Sequence, residues 1–127
     1  AIPHMAARGG GVIVHVASQL GQVAAAGRAA YGATKAALIH LAKSMTLDHA
    51  RDGVRVASLS PGPVMTGRLL ARYGNEERIT AALAPKCPVG RVGAPEEIAA
   101  AAAFLLSADA AFLTGADLLV DGGYAAA

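Results

Sequence analysis

Val12-Ile13-Val14-His15-Val16 is a short apolar, mostly β-branched run that follows three glycines, the pattern of a strand buried on both faces. Ahead of it, Ile2-Pro3-His4-Met5-Ala6-Ala7-Arg8 reads as the last turns of a helix stopped by Gly9-Gly10-Gly11. Ala17 to Arg28 is rich in small residues and predicts a loop. From about Ala29 to Ala50 helix formers dominate, with Leu38, Leu41 and Met45 at helical spacing and an end at Arg51-Asp52-Gly53. Val54-Arg55-Val56-Ala57-Ser58-Leu59 alternates and then meets Pro61-Gly62-Pro63, which predicts a second strand ending in a turn. Gly67 to Tyr73 and Glu76 to Ala84 read as short helices in a longer excursion, and Pro85 to Gly93 reads as loop. Pro95-Glu96-Glu97 opens a further helix to about Leu106: proline suits the first helical position, and both carboxylates sit at the positive end of the dipole. Leu118-Leu119-Val120 predicts a last short strand, closed by Asp121-Gly122-Gly123.

This order of strand, helix, strand, helices and strand predicts an α/β fold, a parallel sheet with crossover helices. No internal repeat or linker divides residues 1–127, which suffice for one modest core and not for two ordinary domains. Three parallel strands make a poor independent sheet. Val12, Ile13, Val14 and Val16 leave an apolar edge with no neighbour in this sequence. The first residue, moreover, lies inside a predicted helix and is not methionine. Both features lead us to expect a portion of something longer, or a partner at that edge.

Composition narrows the class. Hydrophobic residues reach 54% with only 4% aromatic, and 32 of the 127 residues are alanine, which excludes a disordered chain. Charged residues are 16%, below the roughly 25% usual in soluble domains, so an unusual share of the surface is expected to be covered, most simply by a partner subunit. A single cysteine, Cys87, cannot form an internal disulfide, and His4, His15, His40 and His49 show no metal-ligand spacing; we expect a reducing compartment and no metal. The runs from Ile98 to Leu106 and Ala110 to Val120 are broken by Ser107, Asp109, Thr114, Gly115 and Asp117, so no stretch of about 20 apolar residues is present. No signal or transit segment is recognisable, and the net charge of +2 is spread along the chain. A soluble, cytoplasmic protein without membrane or nucleic-acid partners is the expectation.

Tyr31 and Lys35 are four apart at the start of the long helix, so their side chains leave one face a turn apart. A cation beside a phenol favours the phenolate, and such a phenol can pass a proton to or from a carbonyl or alcohol oxygen. Alone, the pair fits a solvated helix face equally well. Ser18 lies 13 residues before Tyr31, just beyond the first strand, and the carboxyl ends of parallel strands are where such sheets bind ligands. Its hydroxyl suits holding a substrate oxygen, although a serine there also suits capping the loop. Ser60-Pro61-Gly62-Pro63-Val64-Met65-Thr66 ends the second strand at the same side of the sheet, where a glycine lets a flat group approach the backbone, or simply forms a rigid turn.

Together these residues resemble the short-chain dehydrogenase/reductase family of nicotinamide-dependent oxidoreductases. The resemblance rests on Ser18, on Tyr31-Gly32-Ala33-Thr34-Lys35, and on Pro61-Gly62 with Val64 and Thr66. It also rests on Gly93-Ala94-Pro95-Glu96-Glu97-Ile98-Ala99, Thr114-Gly115 and Asp121-Gly122-Gly123, all in the family's order and spacing. It spans nearly the whole chain but about the second half of the family's domain. It implies a Rossmann-like doubly wound sheet, here the carboxyl-terminal half with three parallel strands, and NAD or NADP as cofactor. Tyr31 would be the general acid/base; Lys35 would assist it and bind the nicotinamide ribose; Ser18 would position the substrate oxygen. Pro61, Gly62 and Val64 would lie along the nicotinamide, with Thr66 on its carboxamide or the phosphates.

By the same resemblance, residues 67–92 would be a mobile substrate lid. Its Leu69, Leu70, Ile79 and Leu83 suit an apolar substrate or, with better odds, the packing of the lid's own helices. His15 and Ala57 stand where many members have asparagine. The glycine-rich phosphate loop is not seen: Gly9 and Gly11 form a G-x-G that precedes a strand, with Val14 in place of the third glycine. The implied substrate is a small carbonyl or alcohol, and the implied assembly is a homodimer or homotetramer, which Ala29, Ala30, Ala33, Ala36 and Ala37 on the long helix permit. The alternative is a non-catalytic half-domain or oligomerisation module that holds no dinucleotide.

Overall fold

The computed structural model describes residues 1–126. Strands β1 (Gly11–Val16), β2 (Val54–Pro61) and β3 (Asp117–Val120) form one parallel sheet in the order β1-β2-β3. Gly11 to Val16 pair with Val54 to Leu59, and Ser58 to Pro61 pair with Asp117 to Val120. Helices are α1 (Ile2–Ala7), α2 (Ala29–His49), α3 (Gly67–Tyr73), α4 (Glu76–Leu83) and α5 (Pro95–Leu106). The expected elements are all present. The strands run slightly further than their local patterns indicate: Gly11 finds Val54, and Ser60 and Pro61 find Leu119 and Val120.

The period-2 alternation of the central strand explains the two cores. Val54 and Val56 point to one face, where they pack on Ala42 of α2 with Met45, Met5 and Ile13. Ala57 and Leu59 point to the other, against Leu105 of α5 with Ile98, Leu118 and Val120. Helices thus cover both faces, as a parallel sheet requires. Ala57 is fully buried within this second cluster, and His15 places its Nε2 3.3 Å from the Met45 sulfur. Along α2 only Ala42 is fully buried; one face is half-buried against the sheet and the Gln19–Gly21 turn, and the other, with Ala29, Ala30, Ala33 and Ala37, is exposed.

Polar ties set the position of the elements around the sheet. The Arg55 guanidinium donates to the carbonyls of Leu105, Ser107 and Leu113 over 3.1–3.3 Å, gathering the end of α5 and the approach to β3. Asp117 Oδ1 accepts from the hydroxyls of Ser58 at 2.6 Å and Ser60 at 2.8 Å. Its Oδ2 accepts from Gln22, which fastens the loop after β1 to the far strand. The excursion between β2 and α5 closes on itself through a bridge of Val64 with Gly93: Met65 N–H donates to Gly93 O, and Gly93 N–H to Pro63 O, both at 2.9 Å. Beside this neck, Arg91 pairs with Glu97 at 2.6 and 2.7 Å.

Candidate active site

A cleft of about 700 Å³ opens at the carboxyl ends of β1 and β2, with α2 on one side and α3 above. Ser18, Tyr31, Lys35, Pro61, Gly62, Val64 and Thr66 all line it. The mutual approach of two segments accounts for much of this. The turn Gln19–Gly21 lies so close to α2 that a Cβ on Gly32 would stand 2.8 Å from the Leu20 carbonyl oxygen, and one on Gly21 would stand 2.8 Å from the Lys35 backbone. Only glycine allows that contact, and it brings the loop bearing Ser18 against the helix face bearing Tyr31 and Lys35.

Lys35 Nζ donates to the Val16 carbonyl at 2.9 Å and stands 5.7 Å from the centroid of the Tyr31 ring. The Arg68 guanidinium stands 5.7 Å from the same centroid, so two cations flank the phenol. Ser18 is 6% exposed; its Oγ accepts from Leu20 N–H at 3.2 Å and donates to Gln19 Oε1 at 2.8 Å. The hydroxyl therefore caps its turn and also faces the cleft. No hydrogen bond joins Ser18, Tyr31 and Lys35 directly among the described residues.

Gly62 also meets a neighbour within the chain. A Cβ there would lie 2.5 Å from Asp121 Cα, so the absent side chain makes room for the end of β3, and Gly62 N–H donates to Val120 O at 2.9 Å. Asp121 is buried and accepts from the N–H groups of Gly123 and Ala125, which holds this packing in place. The bridge to Gly93 uses Pro63 O and Met65 N–H and leaves the Val64 N–H outside its hydrogen bonds. Thr66 precedes α3 without a side-chain cap bond.

The apolar residues of the excursion divide between interior and cleft. Ile79 is fully buried, whereas Leu69 and Leu83 line the cleft. Cys87 is buried beneath Gly122; burial, and then the charge of Asp121, push its thiol up. Gly9-Gly10-Gly11 lies in the turn entering β1, at the end of the strand away from Ser18. Arg28, Arg68, Arg72 and Lys86 also line the cleft, and sequence reasoning did not single them out. The available signal was the four-residue spacing of Arg68 and Arg72 directly after Thr66. Among the described residues, no three His, Cys, Asp or Glu side chains cluster as metal ligands, and no helix is long and apolar enough to cross a membrane.

Comparison with known proteins matches this arrangement to oxidoreductases. The family model described as Enoyl-(Acyl carrier protein) reductase matches residues 1–125. Cis-4-hydroxycyclohexanecarboxylate dehydrogenase of Sinomonas cyclohexanicum is 44% identical over 126 residues, 99% of this chain and 49% of that protein. An oxidoreductase of the short-chain dehydrogenase/reductase family from Burkholderia thailandensis superposes with a TM-score of 0.92 at 40% identity, over 99% of this chain and 49% of that one. A gluconate 5-dehydrogenase from Burkholderia cenocepacia, solved with NADP and tartrate, gives a TM-score of 0.89 at 38% identity, over 98% and 49%. This chain thus spans about half the length of the relatives that it matches.

Proposed function

The chain belongs to the short-chain dehydrogenase/reductase family, and on that premise we propose that the protein interconverts a carbonyl and a secondary alcohol with NAD or NADP. The carrying observation is the convergence of Ser18, Tyr31 and Lys35 on one cleft at the carboxyl ends of parallel strands. The cleft suits the nicotinamide end of a dinucleotide: the Lys35 ammonium, the Val64 N–H and the Thr66 hydroxyl offer donors on its wall. When bound, the cofactor would supply or remove hydride.

In the oxidising direction, the Tyr31 phenolate oxygen takes the hydroxyl proton of the alcohol as its carbon gives up hydride. In the reducing direction, the phenol returns that proton to the carbonyl oxygen. Lys35 Nζ and the Arg68 guanidinium each stand 5.7 Å from the centroid of the Tyr31 ring, within reach of negative charge on the reacting oxygens. Ser18 holds the substrate oxygen by exchanging its bond to Gln19 for one to the substrate. The similar dehydrogenase from Sinomonas makes a ring alcohol the first substrate to try. Oxidation of such alcohols by the intact protein, followed as NAD(P)H absorbance, is expected to fall about 100-fold or more in Y31F; equal rates would overturn the role of Tyr31.

A second reading concerns residues 1–127 alone, as a non-catalytic half-domain. It is favoured by the position of Gly9-Gly10-Gly11 at the entry to β1, away from the cleft. Intact mass with NADH and NADPH fluorescence titration separates the two readings. With the oxidoreductase reading goes a homodimer or homotetramer in the reducing cytoplasm, for which the exposed alanines Ala29, Ala30, Ala33 and Ala37 of α2 offer a contact face.

A further inference from the structure

Five of the eleven Lys and Arg residues, Arg28, Lys35, Arg68, Arg72 and Lys86, line the cleft, and none of the nine Asp and Glu residues does. A net charge of +2 predicts no such segregation. A concave site lined by one sign of charge concentrates field and ligands of the opposite sign. The structure assigns to this cleft a substrate that carries an oxyanion, a carboxylate or its equivalent, bound by Arg68 and Arg72. This rests on the oxidoreductase reading above and names the substrate class of that same site.

Three observations carry it. Arg68 and Arg72 are one turn apart on α3, so both guanidinium groups serve one face and can fork a carboxylate between them. Neither has a carboxylate partner within ion-pair distance among the described residues, whereas Arg91, in the same excursion but outside the cleft lining, is neutralised by Glu97. Each stands beside an aromatic ring instead, within cation–π range, Arg68 at 5.7 Å from the Tyr31 centroid and Arg72 at 5.5 Å from that of Tyr73. Because Arg68 is against the ring of the proton-transfer residue, an anion bound there belongs to the molecule being oxidised or reduced. A dinucleotide phosphate is separated from its reacting ring by a ribose.

The test uses the intact protein with two ring alcohols, 4-hydroxycyclohexanecarboxylate and cyclohexanol, of which only the first carries a carboxylate, and NADH as a third ligand. By calorimetric or NMR titration the carboxylate is expected to bind about tenfold tighter than cyclohexanol or better, with the advantage shrinking as salt rises. In R68M/R72M the ratio of the two affinities is expected to approach one. R72E, a change at an exposed position, is expected to reverse it if the double variant folds poorly. Equal affinities in the unaltered protein would overturn the proposal. So would a loss of NADH affinity that parallels the loss of carboxylate affinity, since the guanidinium groups would then serve the dinucleotide's phosphates. Selective carboxylate binding without NAD(P)-linked turnover would leave the anion site standing and sink the oxidoreductase reading instead.

Discussion

Lys35 Nζ donates to the main-chain carbonyl of Val16 at 2.9 Å, so the ammonium beside Tyr31 is anchored to the last residue of strand β1. Replacing it with methionine removes both the charge and the tether. K35M is expected to lower kcat about 100-fold or more, while unfolding free energy changes by about 1 kcal/mol, the worth of one hydrogen bond. K35R is expected to recover part of the rate, because its guanidinium keeps the charge with a different reach and geometry. Steady-state kinetics beside urea melts check the pair; a rate loss no larger than the stability loss implies would sink the catalytic role.

Gly32 sets a contest of known magnitudes. Inside a helix, alanine for glycine ordinarily stabilises by about 1 kcal/mol. Here the new Cβ would meet the Leu20 carbonyl oxygen at 2.8 Å, and backbone cannot swing aside as a side chain can. Overpacking of this kind costs about 1–3 kcal/mol, so G32A is expected to lower the melting temperature and, by pushing the Ser18 turn off α2, to reduce kcat/KM. A raised melting temperature would show that the turn is free to move.

Arg55 gathers three main-chain carbonyls that no other donor reaches in the hydrogen bonds described above. R55M should leave them half-buried and unpaired, those of Leu105 and Ser107 at the carboxyl-terminal end of α5, where positive charge is also favourable. A loss of about 2–3 kcal/mol is expected in urea unfolding, and R55K is expected to restore only a fraction because an ammonium cannot fork. Full rescue by lysine would reduce the role of Arg55 to its charge.

Glu97 gives the pH dependence a definite sign. Its hydrogen bonds from Arg91, then the one from the Ala94 N–H, hold its carboxyl at about 2, below the ordinary 4.5. A carboxyl depressed in the folded state contributes stability that is complete above 4.5 and is lost as pH falls through about 2. E97Q is therefore expected to flatten the fall of stability across that window, read by denaturant melts at successive pH values. An unchanged slope would show that other carboxylates carry the acid response.

Local pattern reached most of the elements for an identifiable reason. Gly67–Tyr73 and Pro95–Leu106 begin and end at signals carried by neighbouring residues, a proline or glycine at one end and a small-residue break at the other. The ends of β2 were less legible, since Ser60 and Pro61 are strand only because Leu119 and Val120 lie beside them. At the site, Tyr31, Lys35 and Ser18 were visible through spacing. Arg68 was not, because nothing local says that α3 folds back over the phenol. At Gly62 the approach of Asp121 was not legible either, because it depends on where the end of β3 comes to lie.

The bridge between Val64 and Gly93 has an evolutionary corollary. With both feet of the excursion joined by hydrogen bonds, the 28 residues between them form a cassette on a fixed base. Lengthening such a cassette raises closure entropy slowly, by about 0.6 kcal/mol for each doubling, and leaves the sheet in register. Divergence could therefore rewrite what is recognised, arginines included, by exchanging this one insert, while Ser18, Tyr31 and Lys35 lie outside it and stay where the sheet and α2 put them.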